Sequence, residues 1–408
     1  MADARKWVIV WLLFAAILIN YIDRGNLSIV AVPLMRDFGV SPPAMGTLLS
    51  AFFWTYAFLQ IPAGYAVDRF GLKWTYACAF VLWSFASAAV GFASSYGQIL
   101  ALRLLLGVGE AAAAPASLAF IRRSFTEDRR GLPTAVYLAG MTVGPALGAA
   151  LGAGLMERLG WRMLFIFTGF GALIWLIPWL WLAPGGAAAP APSTPGDRRR
   201  FDWKPLLALP TLWGILMGTF FYSYHWYFCL TWMPSYFVMA RGLSFLRMGA
   251  YVALPLLVMA AMSMLSGRLA DIVIRRTGRP IHVRKLFIAT GFLVGGTILA
   301  VPALQSPEAA LGAFTVSLFG IGIASANYWA LSQAMSPLSI VGRVIGGQNM
   351  IANFAGICAP VITGMLVGCT NNFDLAILAS GSAMIIAAAS FFFLVREKDA
   401  EAFRSSAG

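Results

Sequence analysis

Apolar stretches long enough to cross a lipid bilayer recur along the whole chain and constrain its fold more than any other feature. The first runs from Trp7 to Val32. A helix needs ~20 mostly apolar residues to span the hydrocarbon core. Further stretches lie near 44–67, 74–93, 98–120, 132–156, 162–183, 209–239, 247–272, 283–302, 308–335, 343–368 and 373–395. The sequence therefore predicts an all-α polytopic membrane protein with twelve transmembrane helices.

The charge distribution predicts the orientation of these helices. The chain is 60% hydrophobic and 11% charged, with a net charge of +13, whereas soluble domains have ~25% charged residues. Basic residues cluster on alternate connections, at 5–6, 69–73, 122–130, 198–204, 275–285 and 396–404. The positive-inside rule then places both termini in the cytoplasm of a multi-pass inner-membrane protein. The positive charge reflects topology and does not indicate a nucleic-acid partner.

A single break in composition divides the chain into two halves. Residues 184–208 combine a run of Pro, Ala and Gly with a basic cluster, which is typical of a cytoplasmic linker. Gly64–Asp68 recurs as Gly267–Asp271 at the same place in the other half. Such repeats predict a substrate site near the bilayer midplane. The predicted parts are a six-helix bundle at 1–183, the linker at 184–208, a second six-helix bundle at 209–395 and a cytoplasmic tail at 396–408.

Four ionisable side chains interrupt the apolar stretches. Asp23 and Arg24 lie in the first stretch, and Arg103 and Glu110 lie seven residues apart on one face of the fourth. Each costs roughly 2.5–3.5 kcal/mol at the bilayer centre, so such residues usually mark an ion or substrate path. Their charges sum to zero, which predicts a cross-paired quartet. The alternatives are a structural salt-bridge cluster, or an Asp23–Arg24 pair at the outer mouth that serves topology.

Other polar and aromatic residues share faces with one another and with this group. The candidate substrate-binding residues are Arg24, Tyr21, Tyr56, Met141, Asn353, Asn349, Tyr224 and Trp329. For the neutral ones, packing and interhelical hydrogen bonds are the alternative role. His225 is the only histidine in a predicted span, where a packed, hydrogen-bonded side chain is commoner than a proton carrier.

Several motifs resemble those of a known family. Residues 64–73, Gly-Tyr-Ala-Val-Asp-Arg-Phe-Gly-Leu-Lys, resemble the signature loop between helices two and three of the major facilitator superfamily. Within it, residues 20–24 and 103–111, followed by Pro115, resemble the anion:cation symporter branch. That branch includes bacterial sugar-acid permeases and vesicular glutamate and sialic-acid carriers. The resemblance implies the two-bundle fold and a substrate cavity lined by Tyr21, Arg24 and Tyr56.

The resemblance also implies a cytoplasmic gate and shows one departure. The gate residues would be Gly64, Asp68, Arg69, Gly71, Lys73 and Asp271; membrane-flank charges that serve topology are the alternative. Met141 stands where the galactonate-type relative carries a glutamine in helix five. A thioether cannot replace an amide that bonds a hydroxyl. This leaves open a shorter hydroxy acid or an aromatic carboxylate.

Together these observations predict a secondary transporter that takes up an organic carboxylate, such as a sugar acid, with protons. Arg24 would hold the carboxylate, while Asp23 and Glu110 would bind protons and Arg103 would pair with ionised Asp23. We expect a monomer in the lipid bilayer, with no cofactor other than protons, no metal and no nucleotide. Neither a phosphate loop nor a hydrolase motif is present, so an enzyme is not expected. A cationic-drug/proton antiporter is the competing class.

Overall fold

The computed structural model describes residues 3–126, 129–184, 207–336 and 341–399, and all regular structure in them is helical. The chain forms two compact units. The first comprises residues 1–194 and 230–253, and the second comprises 195–229 and 254–408. Most of the predicted linker, and residues 400–408 of the predicted tail, lie outside the described residues.

The first unit contains eight helices of the N-terminal part of the chain. They are α1 (Asp3–Ile29), α2 (Ala31–Phe38), α3 (Pro42–Phe70), α4 (Leu72–Val90), α5 (Tyr96–Glu110), α6 (Ala113–Ser124), α7 (Gly131–Ala172) and α8 (Leu176–Leu182). The remaining helices are α9 (Pro210–Met239), α10 (Phe245–Thr277), α11 (Pro280–Gly295), α12 (Pro307–Met335), α13 (Val341–Thr370) and α14 (Asp374–Ala389).

Small residues let α1 and α7 approach closely. Gly140, Gly144, Gly148 and Gly152 repeat every four residues on one face of α7. A methyl group on Gly144 would lie 2.8 Å from the Leu18 carbonyl oxygen, so no larger residue fits there. Membrane helices associate through such small-residue faces because lipid supplies no hydrophobic driving force between them. This contact fixes the face of α1 that carries the charged pair.

A proline explains why α5 ends at Glu110. Pro115 has no backbone N–H and therefore cannot donate to the carbonyl of Ala111. The helix is interrupted at residues 111–112 and resumes as α6 at Ala113. The predicted fourth span is one helical segment, Tyr96–Ser124, and Glu110 lies directly before the interruption in it.

Nine helical segments in the described part of the chain are long and apolar enough to cross a membrane. One of them, Gly131–Leu182, has 52 residues and covers two predicted spans, with a break in helical geometry at Gly160, where φ is 81°. The helices α4 and α9 are not among the nine. The all-helical membrane architecture is confirmed, and the count of twelve spans stays a prediction.

Residues 230–253 pack with the first unit, although span order assigned them to the second half. Glu157 lies three residues before the break in α7 at Gly160. Its carboxylate accepts a hydrogen bond from the backbone N–H of Leu246, at the start of α10, at 2.7 Å. A methyl group on Gly249 would lie 2.7 Å from the carbonyl oxygen of Ala149. Backbone contact of this kind again depends on a small residue.

In the second unit α11 and α12 form the closest pair. A methyl group on Gly291 would lie 2.6 Å from the carbonyl oxygen of Gly320 and 3.0 Å from the Ala324 side chain. A methyl group on Gly320 would meet the Gly291 carbonyl oxygen at 2.5 Å in return. Each unit therefore contains a close helix pair whose tightest backbone contacts are made at glycine residues.

Candidate functional site

A buried ion pair joins α1 to α5 at the centre of the first unit. Arg24 Nε donates to Glu110 Oε2 at 2.7 Å, and the side chains are 7% and 0% exposed. The second oxygen of Glu110 has no hydrogen-bond partner among the described residues. A charged hydrogen bond of this length is strong. Each of the two buried charges would be costly without the other, because its desolvation is compensated by its partner.

Three aromatic rings surround the Arg24 guanidinium. Its central carbon lies 4.6 Å from the ring centre of Tyr21 and 4.5 Å from those of Phe52 and Tyr56. Phe52 also stacks on Tyr56, with ring centres 4.9 Å apart. Aromatic faces attract guanidinium groups through their negative quadrupole. The structure thus brings together Tyr21, Arg24 and Tyr56 as predicted.

Phe52 is a member of this group that the sequence analysis missed. It lies one helical turn before Tyr56 on α3, so the two share a face. Applying the same spacing rule to α3 identifies it, but an additional phenylalanine in an apolar span carries no distinctive signal by itself.

Asp23 is held by neutral partners. Its Oδ1 accepts from Ser87 Oγ on α4 at 2.8 Å and from Asn26 Nδ2 at 3.5 Å. Asn26 Nδ2 also donates to Thr168 Oγ1 on α7 at 2.9 Å. The other carboxylate oxygen, Oδ2, has no hydrogen-bond partner in the part of the chain described. Asp23 therefore occupies a polar cluster formed by three helices, and its serine and threonine partners were not predicted.

Arg103 does not complete the predicted quartet. It is 3% exposed, and no carboxylate of the described residues lies within 4 Å of its side-chain nitrogens. Its Nε and one terminal nitrogen lack a hydrogen-bond partner there. The expected pairing with Asp23 is absent because Ser87 and Asn26 hold Asp23, while Arg24 occupies Glu110. Arg103 still interacts electrostatically with both carboxylates, so the four charges share one region.

The remaining candidate in the first unit is Met141. It lies on α7, directly after Gly140, whose position is packed against Ile17 and the Phe14 carbonyl oxygen of α1. The Met141 side chain is half-buried. Its predicted part in selectivity stays a prediction.

The candidates of the second unit lie on α9, α12 and α13. Asn353 is 4% exposed and donates from Nδ2 to the carbonyl oxygen of Asn349 at 2.9 Å. Tyr224 is buried and packs with Ala355, Ala359 and Phe220. Trp329 is half-buried with its ring centre 4.9 Å from that of Tyr328. Tyr224 and Trp329 therefore both contact neighbouring aromatic rings, and their part in substrate binding stays a prediction.

A hydrogen-bond network surrounds His225 in the second unit. Its Nδ1 lies 2.8 Å from Ser380 Oγ, and its Nε2 lies 3.0 Å from Ser317 Oγ. Ser317 donates its own proton to the carbonyl oxygen of Gly295 at 2.6 Å. Ser317 therefore accepts from Nε2–H, and a neutral ring is satisfied when Ser380 donates to Nδ1. The network is complete with a neutral ring, which makes His225 a packed, hydrogen-bonded side chain.

The predicted gate residues form local contacts within each unit. Asp68 pairs with Arg123 of α6 at 2.8 Å, and Asp271 pairs with Arg284 of α11 at 3.0 Å. Arg69 and Lys73 lie against the rings that follow them, each 5.7 Å from the ring centre. The two arginine partners, remote in sequence from the motif, were not predicted.

Glycines shape the first of these connections. Gly71, between α3 and α4, has a φ of 83°, which favours glycine. Gly64 lies within α3 with open space around it, because a methyl group there would meet nothing within 4 Å. Of these two positions, only Gly71 has a backbone conformation that requires glycine.

Comparison with known proteins agrees with the helical fold. A sequence model of the Major Facilitator Superfamily matches residues 13–357. The chain belongs to this superfamily. A D-galactonate transporter of Escherichia coli is 29% identical over 414 residues, covering 96% of each chain. A hexuronate transporter of Bacillus subtilis is 29% identical over 405 residues, covering 97% of this chain and 96% of the relative.

A solved structure shows the same fold. It is a bacterial homologue of the human lysosomal transporter Spinster in an inward-facing conformation, with 18% identity and a TM-score of 0.80. The alignment covers 100% of this chain and 99% of that one. The family resemblance read from the sequence motifs is therefore confirmed, and the protein is a multi-pass membrane transporter of the superfamily and not an enzyme.

Proposed function

We propose that this major facilitator takes up an organic carboxylate together with protons, by alternating access across the inner membrane. The observation that carries the proposal is the buried Arg24–Glu110 pair within an aromatic surround. Relatives that span nearly the whole chain are transporters of galactonate and hexuronate. An arginine whose one carboxylate partner in the described part of the chain can be neutralised is suited to a substrate that is itself a carboxylate.

Protonation of Glu110 would free Arg24 for the substrate. Ionised Glu110 holds Arg24 through Nε, and a protonated carboxyl holds a guanidinium much less strongly. The released guanidinium can bind a substrate carboxylate through two parallel hydrogen bonds. At this pair the charge of one proton offsets the charge of one anion, so the Arg24–Glu110 site has the same net charge with and without substrate. This is the coupling that a symporter requires.

Asp23 and Arg103 would form the second proton-handling pair. Asp23 has one unoccupied carboxylate oxygen, and Arg103 is its electrostatic neighbour. When Asp23 is ionised, movement of Arg103 toward it would compensate the buried charge. When Asp23 is protonated, Arg103 would stay apart from it. Transport would need no cofactor besides protons.

Neutral residues would select among acids. Tyr21 and Tyr56 present hydroxyl groups beside Arg24, and Asn353 has its amide oxygen available while its nitrogen bonds the helix backbone. Tyr224, Trp329 and Asn349 are weaker candidates for substrate contact. Sugar acids fit the named relatives, whereas Met141 favours a less hydroxylated, shorter or aromatic acid.

A cationic-drug/proton antiporter is the alternative on this fold. It would require acidic groups facing the substrate without an arginine, whereas Arg24 and Arg103 are both buried in the first unit. Thermal unfolding of the purified protein separates the two, because a ligand that binds the native state raises its Tm. We expect sugar acids and other hydroxy acids to raise the Tm and lipophilic cations to leave it unchanged.

The decisive experiment replaces Glu110 by glutamine in proteoliposomes. Glu110→Gln keeps the size and a hydrogen-bond acceptor for Arg24 but cannot take up a proton. Gradient-driven accumulation should be abolished, while exchange of labelled for unlabelled substrate continues. The matched control is Glu157→Gln, which changes a carboxylate outside the Arg24 group. Normal accumulation by Glu110→Gln would rule out its role in coupling.

A further inference from the structure

One buried ring lies against two guanidinium groups from different helices. Phe52 is 0% exposed. Its ring centre is 4.5 Å from the central carbon of Arg24 on α1 and 5.9 Å from that of Arg103 on α5. The proposed function counts Phe52 in the aromatic surround of Arg24 but gives it no part in proton coupling.

We propose that Phe52 is a positioning residue that holds both guanidiniums on one ring and so keeps Arg103 from closing on Asp23. The inference rests on the proposed proton coupling, and it adds a residue that sets the pH at which coupling occurs.

The position of the ring is fixed by the contact between α3 and α5. A methyl group on Gly107 would lie 2.4 Å from the carbonyl oxygen of Phe52, so the two backbones touch. Thr55 Oγ1 donates to the carbonyl oxygen of Leu104 at 2.7 Å across the same interface. The ring also stacks on Tyr56 and meets Phe53 edge-on, with ring centres 5.0 Å apart. Phe52 therefore cannot follow either arginine if it moves.

The Phe52 ring and the Asp23 carboxylate both attract the Arg103 guanidinium. Its charged neighbours are Asp23 and Arg24 on α1 and Glu110 on its own helix. Asp23 in turn is surrounded by Ser87, Asn26, Glu110 and Arg103. A ring attracts a guanidinium more weakly than an ionised carboxylate does, and its attraction does not change with pH. Phe52 thus holds Arg103 until Asp23 ionises.

Weakening the attraction between the Phe52 ring and the Arg103 guanidinium should shift the pH dependence of transport. With less attraction from Phe52, Arg103 spends more time near Asp23 and favours its ionised form. Asp23 then becomes protonated only at lower pH. The midpoint of the pH profile should shift to the acid side.

Fluorinated phenylalanines test this without changing the shape of the side chain. Mono-, di- and trifluorinated phenylalanine, introduced at position 52 in the full chain, progressively remove the negative charge of the ring face. The control is the same series at Phe80, which is fully buried and stacks on Trp175 at 4.3 Å. In proteoliposomes we expect a stepwise acid shift at position 52, reaching about one pH unit, and none at position 80.

Equal profiles for all position-52 variants would overturn the proposal. If the unsubstituted protein shows no pH-dependent uptake, the proposed function fails, and the ring contact is then tested by thermal unfolding. Fluorination at 52 should lower the Tm more in the natural protein than in the Arg103→Met variant, because only the former has the second cation on the ring. An effect of the same size in both would also overturn it.

Discussion

The first unit buries two carboxylates and two guanidiniums, whereas the buried polar side chains described within the spans of the second unit are neutral. In the first, Arg24 and Glu110 form an ion pair, and Asp23 and Arg103 lie near it. In the second, His225 is bonded to Ser317 and Ser380, and Gln348 Nε2 donates to Thr219 Oγ1 at 3.0 Å.

This difference separates two tasks that a coupled transporter must perform. A buried ion pair loses its charge–charge attraction when its carboxylate takes up a proton. A neutral network such as that of His225 keeps its geometry over the same pH range. Under the proposed function, the first unit would carry proton coupling and carboxylate binding, and neutral groups would largely discriminate among acids.

The largest effect is expected when the ion pair is broken from one side. Arg24→Leu leaves Glu110 buried without its partner and should lower the free energy of unfolding by about 3–5 kcal/mol. Arg24→Leu combined with Glu110→Met should recover most of that loss, since an apolar pair needs no compensation. Unfolding of the purified variants measures both, and neither should transport.

Arg24→Lys separates charge from shape in the same pair. Lysine keeps the charge but lacks the planar fork, so carboxylate affinity should fall nearly as far as in Arg24→Ala. Isothermal titration with the acid that gives the largest Tm increase measures this. Near-normal affinity in Arg24→Lys would show that charge alone suffices.

Asn353→Ala tests the neutral side of the comparison. Affinity for a hydroxylated acid should fall by about 1–3 kcal/mol, since the bound hydroxyl loses its partner, and the pH profile of uptake should stay in place. Met141→Gln should shift preference in the opposite direction, toward more hydroxylated acids. An acid without hydroxyls is the control ligand. A displaced pH optimum in Asn353→Ala would refute the division of tasks.

A smaller effect is expected at the histidine network. His225→Leu leaves Ser380 without its described partner and should cost on the order of 1–2 kcal/mol of unfolding free energy. Because the ring is neutral in this network, the pH dependence of uptake should not change. His225→Asn, which keeps one donor and one acceptor, should lose less. A shifted pH profile in either variant would make His225 part of the coupling.

The smallest effects are expected at two surface ion pairs, Asp68–Arg123 in the first unit and Asp271–Arg284 in the second. Asp68→Asn and Asp271→Asn should each cost about 0–1 kcal/mol, because the aspartates are 64% and 55% exposed. The second should cost more, since Arg284 is less exposed than Arg123 and also donates to Asn327 at 3.3 Å. Equal stabilities by thermal unfolding, with unequal transport rates, would indicate that these pairs act in gating instead.

The sequence by itself determined the class of protein and the identity of its charged residues. Apolar length and charge bias predicted a helical membrane protein, and motifs at residues 64–73 and 103–111 predicted its superfamily. Helical periodicity also placed Tyr21 with Arg24, and Arg103 with Glu110, on common faces. These properties depend on neighbours within about two turns of one helix, which is the range over which periodicity is informative.

Only the tertiary structure decided which partners these residues take. Arg24 and Glu110 are 86 positions apart, and Asp23 and Ser87 are 64 apart. Their contact depends on how α1 packs on α7 through a glycine face and how α5 ends before Pro115. Rotating a helix by one residue turns each side chain by about 100°. Periodicity therefore shows which residues of one helix share a face, but it does not show which residues of another helix they contact. For this reason Phe52 and Ser87 were missed, and the predicted quartet did not anticipate that Arg103 has no carboxylate of the described residues within 4 Å.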